Sequence, residues 1–306
     1  MLKEKQTLLK VFIIIIIVVL VICLAVLAVL LLMRSGLLDE EDGTAATTAT
    51  TTTTTRQTEP SETTVPLTEP PTEPTEPPIP LNRFTPEDFA YRGDYLTCVS
   101  EDCLMGIDVS KYQGYIDWKQ VKEAGFSFVM IRIGYRGYGQ AGNMRPDDMA
   151  NTHYRGAKQA GLLVGAYFFS QATNEEEARE EALYALELTK NWELDLPIVF
   201  DWEYVDEEAR TAEVDADTLT ACAIAFCQEI SDVGKKTMIY VSPWFGNLHL
   251  DQLTEYPQWL ALYKDQMDYK YHFDMWQYTC TGSVPGVKGD VDINILIPYG
   301  KDEIWP

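Results

Sequence analysis

Basic side chains are scarce in this 306-residue chain: 24 Lys and Arg stand against 47 Asp and Glu, for a formal net charge of −23. Binding to a polyanion draws on clustered Lys and Arg against phosphates. No basic run occurs outside the extreme N-terminus, so nucleic acid is not an expected partner. Histidine is scarcer still. His153, His249 and His272 share no spacing with the six cysteines, which counts against a zinc site and leaves neither metal nor cofactor expected. No glycine-rich dinucleotide fingerprint or phosphate loop follows an apolar run, which disfavours an open doubly wound sheet. Among the cysteines, Cys23 falls in a long apolar run. Cys222 and Cys227 lie in a predicted helix about 140° apart around its axis, a poor geometry for a bridge. Cys98 and Cys103 flank a short loop and are expected to pair outside the cell.

That long apolar run, residues 11–33, is rich in Ile, Val and Leu. At about 1.5 Å per residue it matches roughly the 30 Å of a bilayer's hydrocarbon core, and it is too long for the apolar region of a signal peptide. The expectation is a transmembrane helix at 11–33 after a cytoplasmic N-terminus at 1–10. Lys3, Lys5 and Lys10 before the run and Asp39 to Asp42 after it orient the remainder outward by the positive-inside rule. Residues 34–80 then change to Thr, Pro and Glu, with Thr-Glu-Pro at 68–70, 72–74 and 75–77. So little apolar surface predicts a disordered, extended stalk without activity of its own. Residues 81–104 are read as a lead-in segment and 105–306 as the functional domain.

In that domain, apolar β-rich runs at 105–109, 128–133, 163–169, 197–202 and 237–241 alternate with amphipathic stretches. Helices are predicted near 118–124, 149–160, 175–191 and 217–233, the last with Asp215 or Asp217 as N-cap and Gly234 past its end. After Val241 the runs at 259–263, 275–278 and 291–296 look like strands with little helix between them. Five β/α-type units followed by three strands make eight strands, the number that closes a filled barrel. The expected fold is an α/β, TIM-like (β/α)5(β)3 barrel preceded by the transmembrane helix and the linker.

Side chains at the carboxyl ends of such strands face the barrel mouth. Asp108 ends the first run, Asp201 and Glu203 end the fourth, and Asp292 lies in the last. Two residues apart on a strand, Asp201 and Glu203 project to one side. Like charges held that close cannot both ionise comfortably, so the more buried one keeps a proton near neutral pH. A proton-holding acid beside an ionised carboxylate is what cleavage of an acetal needs. The triplet alone is weak, since Asp-x-Glu is common on solvated strand edges; its place after an apolar run, with acids at two other strand ends, carries the reading. Tyr135, Tyr167, Tyr240, Trp244, Tyr263, Trp276 and Tyr278 fall at or beyond predicted strand ends, and flat rings suit the C–H faces of sugars. Any ring taken singly fits core packing better than sugar contact; as a set around one mouth they point to a sugar.

At these residues the sequence resembles glycoside hydrolase family 25, the Chalaropsis-type lysozymes or N-acetylmuramidases. The likeness runs from about Met105 to Pro298 through Gly106-Ile-Asp-Val-Ser-Lys-Tyr-Gln113, Gly161-Leu-Leu-Val-Gly-Ala-Tyr-Phe-Phe169, Pro197-Ile-Val-Phe-Asp-Trp-Glu203, Trp259-Leu-Ala-Leu-Tyr263, Trp276-Gln-Tyr278 and Val291-Asp-Ile-Asn294. The stretch Gly134-Tyr-Arg-Gly-Tyr-Gly139 departs from the family pattern. The resemblance implies hydrolysis of the β-1,4 bond between N-acetylmuramic acid and N-acetylglucosamine, with net retention. It implies Glu203 as general acid, Asp201 orienting the substrate's 2-acetamido group, and Asp108 and Asp292 completing an acidic floor; a direct Asp nucleophile is the open alternative. Expected substrate contacts are Tyr135, Tyr167, Tyr240, Trp244, Tyr263, Trp276 and Gln277. The expected partners are peptidoglycan glycan strands and, through the N-terminal helix, the membrane, for a monomer at the bacterial cell surface. A non-catalytic receptor for wall glycan is the rival; it has no need of a protonated Glu beside Asp201.

Overall fold

Period-two alternation sets the architecture, because each strand sends every second side chain into the barrel. The computed structural model describes residues 79–99, 103–243 and 248–298. A hairpin of β1 (Phe89–Arg92) and β2 (Tyr95–Cys98) comes first, turning at Gly93, whose φ of 67° favours glycine. Then follow β3 (Leu104–Val109), β4 (Phe128–Arg136), the short β5 (Met144–Pro146), β6 (Leu163–Ser170), β7 (Ile198–Trp202), β8 (Thr237–Val241), β9 (Gln258–Ala261), β10 (Met275–Gly282) and β11 (Val291–Leu296). β5 hangs on the outer edge of β4; the other eight strands of that sheet close on themselves, since β3 pairs with both β11 and β4.

Phe128, Met130, Val199, Met238, Trp259 and Met275 form the core cluster inside the barrel. Their strand neighbours Val129, Ile131, Phe200 and Ile239 belong to the outer core. Closure at the β3–β4 seam depends on Gly106, where a Cβ would sit in the ring of Phe128. Helices α1 (Trp118–Glu123), α2 (Ala150–Gln159), α3 (Glu175–Thr189) and α4 (Ala216–Asp232) follow β3, β5, β6 and β7 in the chain. Three begin at side-chain caps. Asp117 accepts from Lys119 N and Gln120 N, Asn174 from Glu177 N, and Asp215 from Thr218 N at 2.8 Å. Each cap stabilises its helix by about 1 kcal/mol.

The expected (β/α)5(β)3 TIM-like form needs correcting. Among the described residues four strand-to-helix units are present, not five: β8 is followed only by a 3-10 turn at Leu250–Gln252. Pro243, Gly246 and Pro257 punctuate that connection and leave no uninterrupted amphipathic stretch. The barrel is not all-parallel either, because β11 runs antiparallel to both β10 and β3. The connection from Gly282 to Val291 contains Pro285, Gly286 and Gly289 and is shorter than the dozen or so residues a parallel crossover needs, so the chain turns back as a hairpin. No helix among the described residues is long and apolar enough to cross a membrane. Residues 1–10, the run at 11–33 and the stalk up to residue 78 lie outside the described residues.

Candidate active site

One pocket of about 260 Å³ at the barrel mouth collects all four predicted acids: Asp108 from β3, Asp201 and Glu203 from the end of β7, and Asp292 from β11. The alternation that sends Ile107 and Val109 into the outer core turns Asp108 inward. Across the antiparallel seam Asp292 stands directly opposite it. Phe200 and Trp202 point outward in the same way, so Asp201 and Glu203 share the inner face.

Asp108 is 6% exposed and held by two amides, Gln277 Nε2 and Asn294 Nδ2, both donating to Oδ2 at 2.8 Å. The amides are fixed in turn. Tyr240 Oη and Tyr263 Oη donate to Gln277 Oε1 at 2.8 and 3.0 Å, and Trp259 Nε1 donates to Asn294 Oδ1 at 2.8 Å. Burial pushes the Asp108 carboxyl up to about 6, against the pull of the two amides. Asp292 is pushed up to about 9 by burial and by the negative charge of Asp108. Near neutral pH this facing pair therefore carries chiefly one charge, on Asp108.

Burial also raises Asp201 well above its ordinary value and raises Glu203. Their mutual hydrogen bond raises Asp201 further and works against the rise at Glu203, so they hold a proton jointly. Asp201 is 4% exposed and its Oδ1 has no hydrogen-bond partner among the described residues. Asp201, the more buried of the two, is raised the further.

The predicted aromatic contacts divide. Tyr167, Tyr240 and Tyr263 line the pocket, as does Gln277. Trp276 does not: it is wholly buried in the outer core, its Nε1 donating to Leu262 O at 2.8 Å. Adjacent strand residues face opposite ways, so with Gln277 turned into the pocket Trp276 must turn out. Tyr278 follows Trp276 outward and is 4% exposed. Tyr135 lies farther along β4 than the pocket wall, its ring against the cations of Lys111 and Arg132 at 5.4 and 5.6 Å. Trp244 is outside the described residues. The most consequential residue not anticipated is Arg132, the only basic side chain lining the pocket among the described residues. Asp147 fixes it, accepting from Nε at 2.9 Å and Nη2 at 2.8 Å. Trp259, Ser110, Tyr112, Gln113 and Phe169 complete the lining.

A second set of bonds steadies the peptide of Glu203. Gln171, wholly buried beyond β6, donates from Nε2 to Glu203 O at 2.9 Å, while its Oε1 accepts from Thr211 Oγ1 at 2.8 Å. Arg210 Nη1 donates to Gln171 O at 2.8 Å and, with Nη2, holds Glu177. No cluster of His, Cys, Asp and Glu fit to hold a metal ion occurs among the described residues.

A closed barrel with a proton-sharing carboxyl pair at its mouth is the arrangement of a glycoside hydrolase. The model of glycosyl hydrolases family 25 matches residues 107–287, and the chain belongs to that family. Lysozyme M1 of Streptomyces globisporus is 29% identical over 203 residues, 62% of this chain and 67% of that protein. The autolytic lysozyme of Clostridium acetobutylicum is 27% identical over 198 residues, 62% of this chain and 55% of its own length. Among solved structures, the modular autolysin LytC of Streptococcus pneumoniae, also solved with a synthetic peptidoglycan ligand, shares 25% identity with a TM-score of 0.58. That likeness covers 68% of this chain and 51% of LytC, so the chain spans about half the length of that structure.

Proposed function

We propose that the protein is a peptidoglycan hydrolase of the muramidase type, cleaving the β-1,4 bond between N-acetylmuramic acid and N-acetylglucosamine with retention. The observation that carries this reading is the pooling of four carboxyl groups in one sugar-sized pocket, two of them holding a proton jointly. Glu203 is the general acid and protonates the departing glycosidic oxygen. Asp201 engages the substrate's 2-acetamido group through the Oδ1 that has no protein partner. As the acetamido N–H donates to Asp201, the ionised form of Asp201 is favoured and the shared proton moves to Glu203. The acetamido oxygen then attacks the anomeric carbon from the face opposite the departing oxygen as that C–O bond breaks. Water, giving its proton to Glu203, opens the resulting oxazoline ring from the face the leaving group vacated, which retains the configuration. Asp108, kept ionised by its two amides, opposes the positive charge that develops on the sugar. The names of the related lysozymes and the ligand of LytC support the choice of glycan.

The Cys98–Cys103 disulfide supports action outside the reducing cytoplasm. The deciding experiment is mass spectrometry of digested peptidoglycan after borohydride reduction. Muramitol at the new reducing ends is the expected product. Glucosaminitol would make the enzyme a glucosaminidase, and absence of any new end would favour the glycan receptor.

A further inference from the structure

A second cavity, about 820 Å³ and so larger than the acid pocket, opens beside it between the β1–β2 hairpin and the β10–β11 hairpin. Tyr263 lines both, so the two adjoin across its ring. One wall is built by the β1–β2 hairpin, whose residues precede the family match at 107–287.

The wall is firmly seated. Phe89 meets the outward-turned Trp276 edge-on with ring centroids 5.0 Å apart, and Tyr95 meets Phe126 in the same way at 5.0 Å. Leu96 N donates to Tyr278 Oη at 3.3 Å, Tyr95 Oη donates to Ser283 O at 3.1 Å, and the Cys98–Cys103 disulfide closes the hairpin's far strand. Trp276 and Tyr278, turned away from the acids, thus serve as the platform for this hairpin.

Two half-exposed rings border the groove. Tyr91 is 50% exposed with its hydroxyl donating to Asp265 Oδ1 at 2.6 Å, and Tyr263 is 47% exposed with its hydroxyl on Gln277. Tethering at the hydroxyl holds each ring upright while leaving a face open to solvent. Exposed aromatic area that the fold does not use suits a ligand with flat apolar patches between polar groups. The charge of the groove narrows the choice. Lys264 is paired with Asp268 at 2.6 Å, so Asp94 and Asp265 leave the lining net negative. A carboxylate-bearing peptide stem is repelled there, and an uncharged sugar is not.

We propose that this groove is an extended subsite for the glycan strand, taking an uncharged N-acetylated hexose beyond the pair whose bond is cut, with Tyr91 as its stacking platform. It rests on the muramidase reading for its substrate class, and the test separates the two. The full chain carrying Glu203→Gln is titrated calorimetrically with N-acetylglucosamine oligomers of two to six units. Affinity is expected to rise with length, about tenfold in total, and Tyr91→Ala is expected to remove most of that gain while leaving the dimer's affinity unchanged. Tyr91→Phe, which keeps the ring, is expected to keep most of the gain and guards against a hairpin that fails to fold. In chains with Glu203 intact, Tyr91→Ala should raise KM on long glycan strands about five- to tenfold and leave cleavage of the shortest oligomer unchanged. Affinity independent of length, or a length gain that survives Tyr91→Ala, overturns the groove. Length-dependent binding lost in Tyr91→Ala, in a protein that releases no muramic reducing ends, leaves the groove standing and overturns the muramidase.

Discussion

Asp201 and Glu203 differ by one methylene and two positions, yet burial gives them different parts. Replacing the donor removes the step while the fold stays: Glu203→Gln should lower kcat on purified peptidoglycan roughly 10³-fold, without lowering the melting temperature. Retained activity would take the acid role from Glu203. Asp292 yields a prediction of opposite kind. Its folded pKa of about 9 stands above the ordinary 3.8, so the folded state binds the extra proton. Stability from this residue is complete below about pH 4 and is lost as pH climbs toward 9. Asp292→Asn keeps the shape without the charge. It should raise the melting temperature at pH 8.5 by at least about 3 °C, the shift that roughly 1 kcal/mol produces in a domain of this size, and change it little at pH 4. Calorimetry at the two pH values checks the sign, and an equal shift at both would refute it. The acids were legible in the sequence because each ends or enters an apolar run. Arg132 was not picked out, although it is the lone charge in Phe128-Val-Met-Ile-Arg-Ile-Gly134 and stands in phase with the inward Phe128 and Met130. Trp276 misled because its neighbour Gln277 carried the inward phase.

Among elements, the turn after β6 governs the end of β7. Gln171 joins the backbone of Glu203 to Thr211 and, through its own carbonyl, to Arg210. Gln171→Ala leaves a buried carbonyl and a hydroxyl unpartnered, at a cost of about 1–3 kcal/mol. It should lower the melting temperature and reduce kcat about tenfold with KM little changed, because the acid is misplaced while the sugar contacts survive. Steady-state kinetics on solubilised glycan provide the check; a pure KM effect would contradict it. Strands buried on both faces, such as β7 and β8, announce themselves as continuous apolar runs. β1 buries only Phe89, and β5 buries none of its residues, so neither leaves a period in the sequence from which to read a strand. The hairpin at 89–98 consequently passed as a lead-in segment, and the groove it walls had no signature of its own.

For the molecule as a whole, charge is the dominant long-range property. A chain at −23 approaches an anionic cell wall against repulsion that salt screens over about 10 Å at 0.1 M. Activity on intact walls should therefore rise roughly two- to fivefold between 10 and 150 mM salt, while cleavage of a short neutral glycan barely changes. Turbidity clearing and oligomer hydrolysis across one salt series give the comparison, and parallel responses would rule the effect out. The closed barrel was read from eight apolar runs, but strand direction was not, because direction depends on the length of connections rather than on the runs they join. That last reversal has a consequence for how such an enzyme changes over time. The mouth receives the beginning of β11 rather than its end, so the loop that leads into this strand arrives at the same end of the barrel as Asp292. It also walls the neighbouring groove through residues such as Ser283 and Val287. A single tight bend, free of any helix that must repack, thus lies against both the place of cleavage and the path of the polymer. Insertions and trims there can retune reach and preference with the barrel seam untouched.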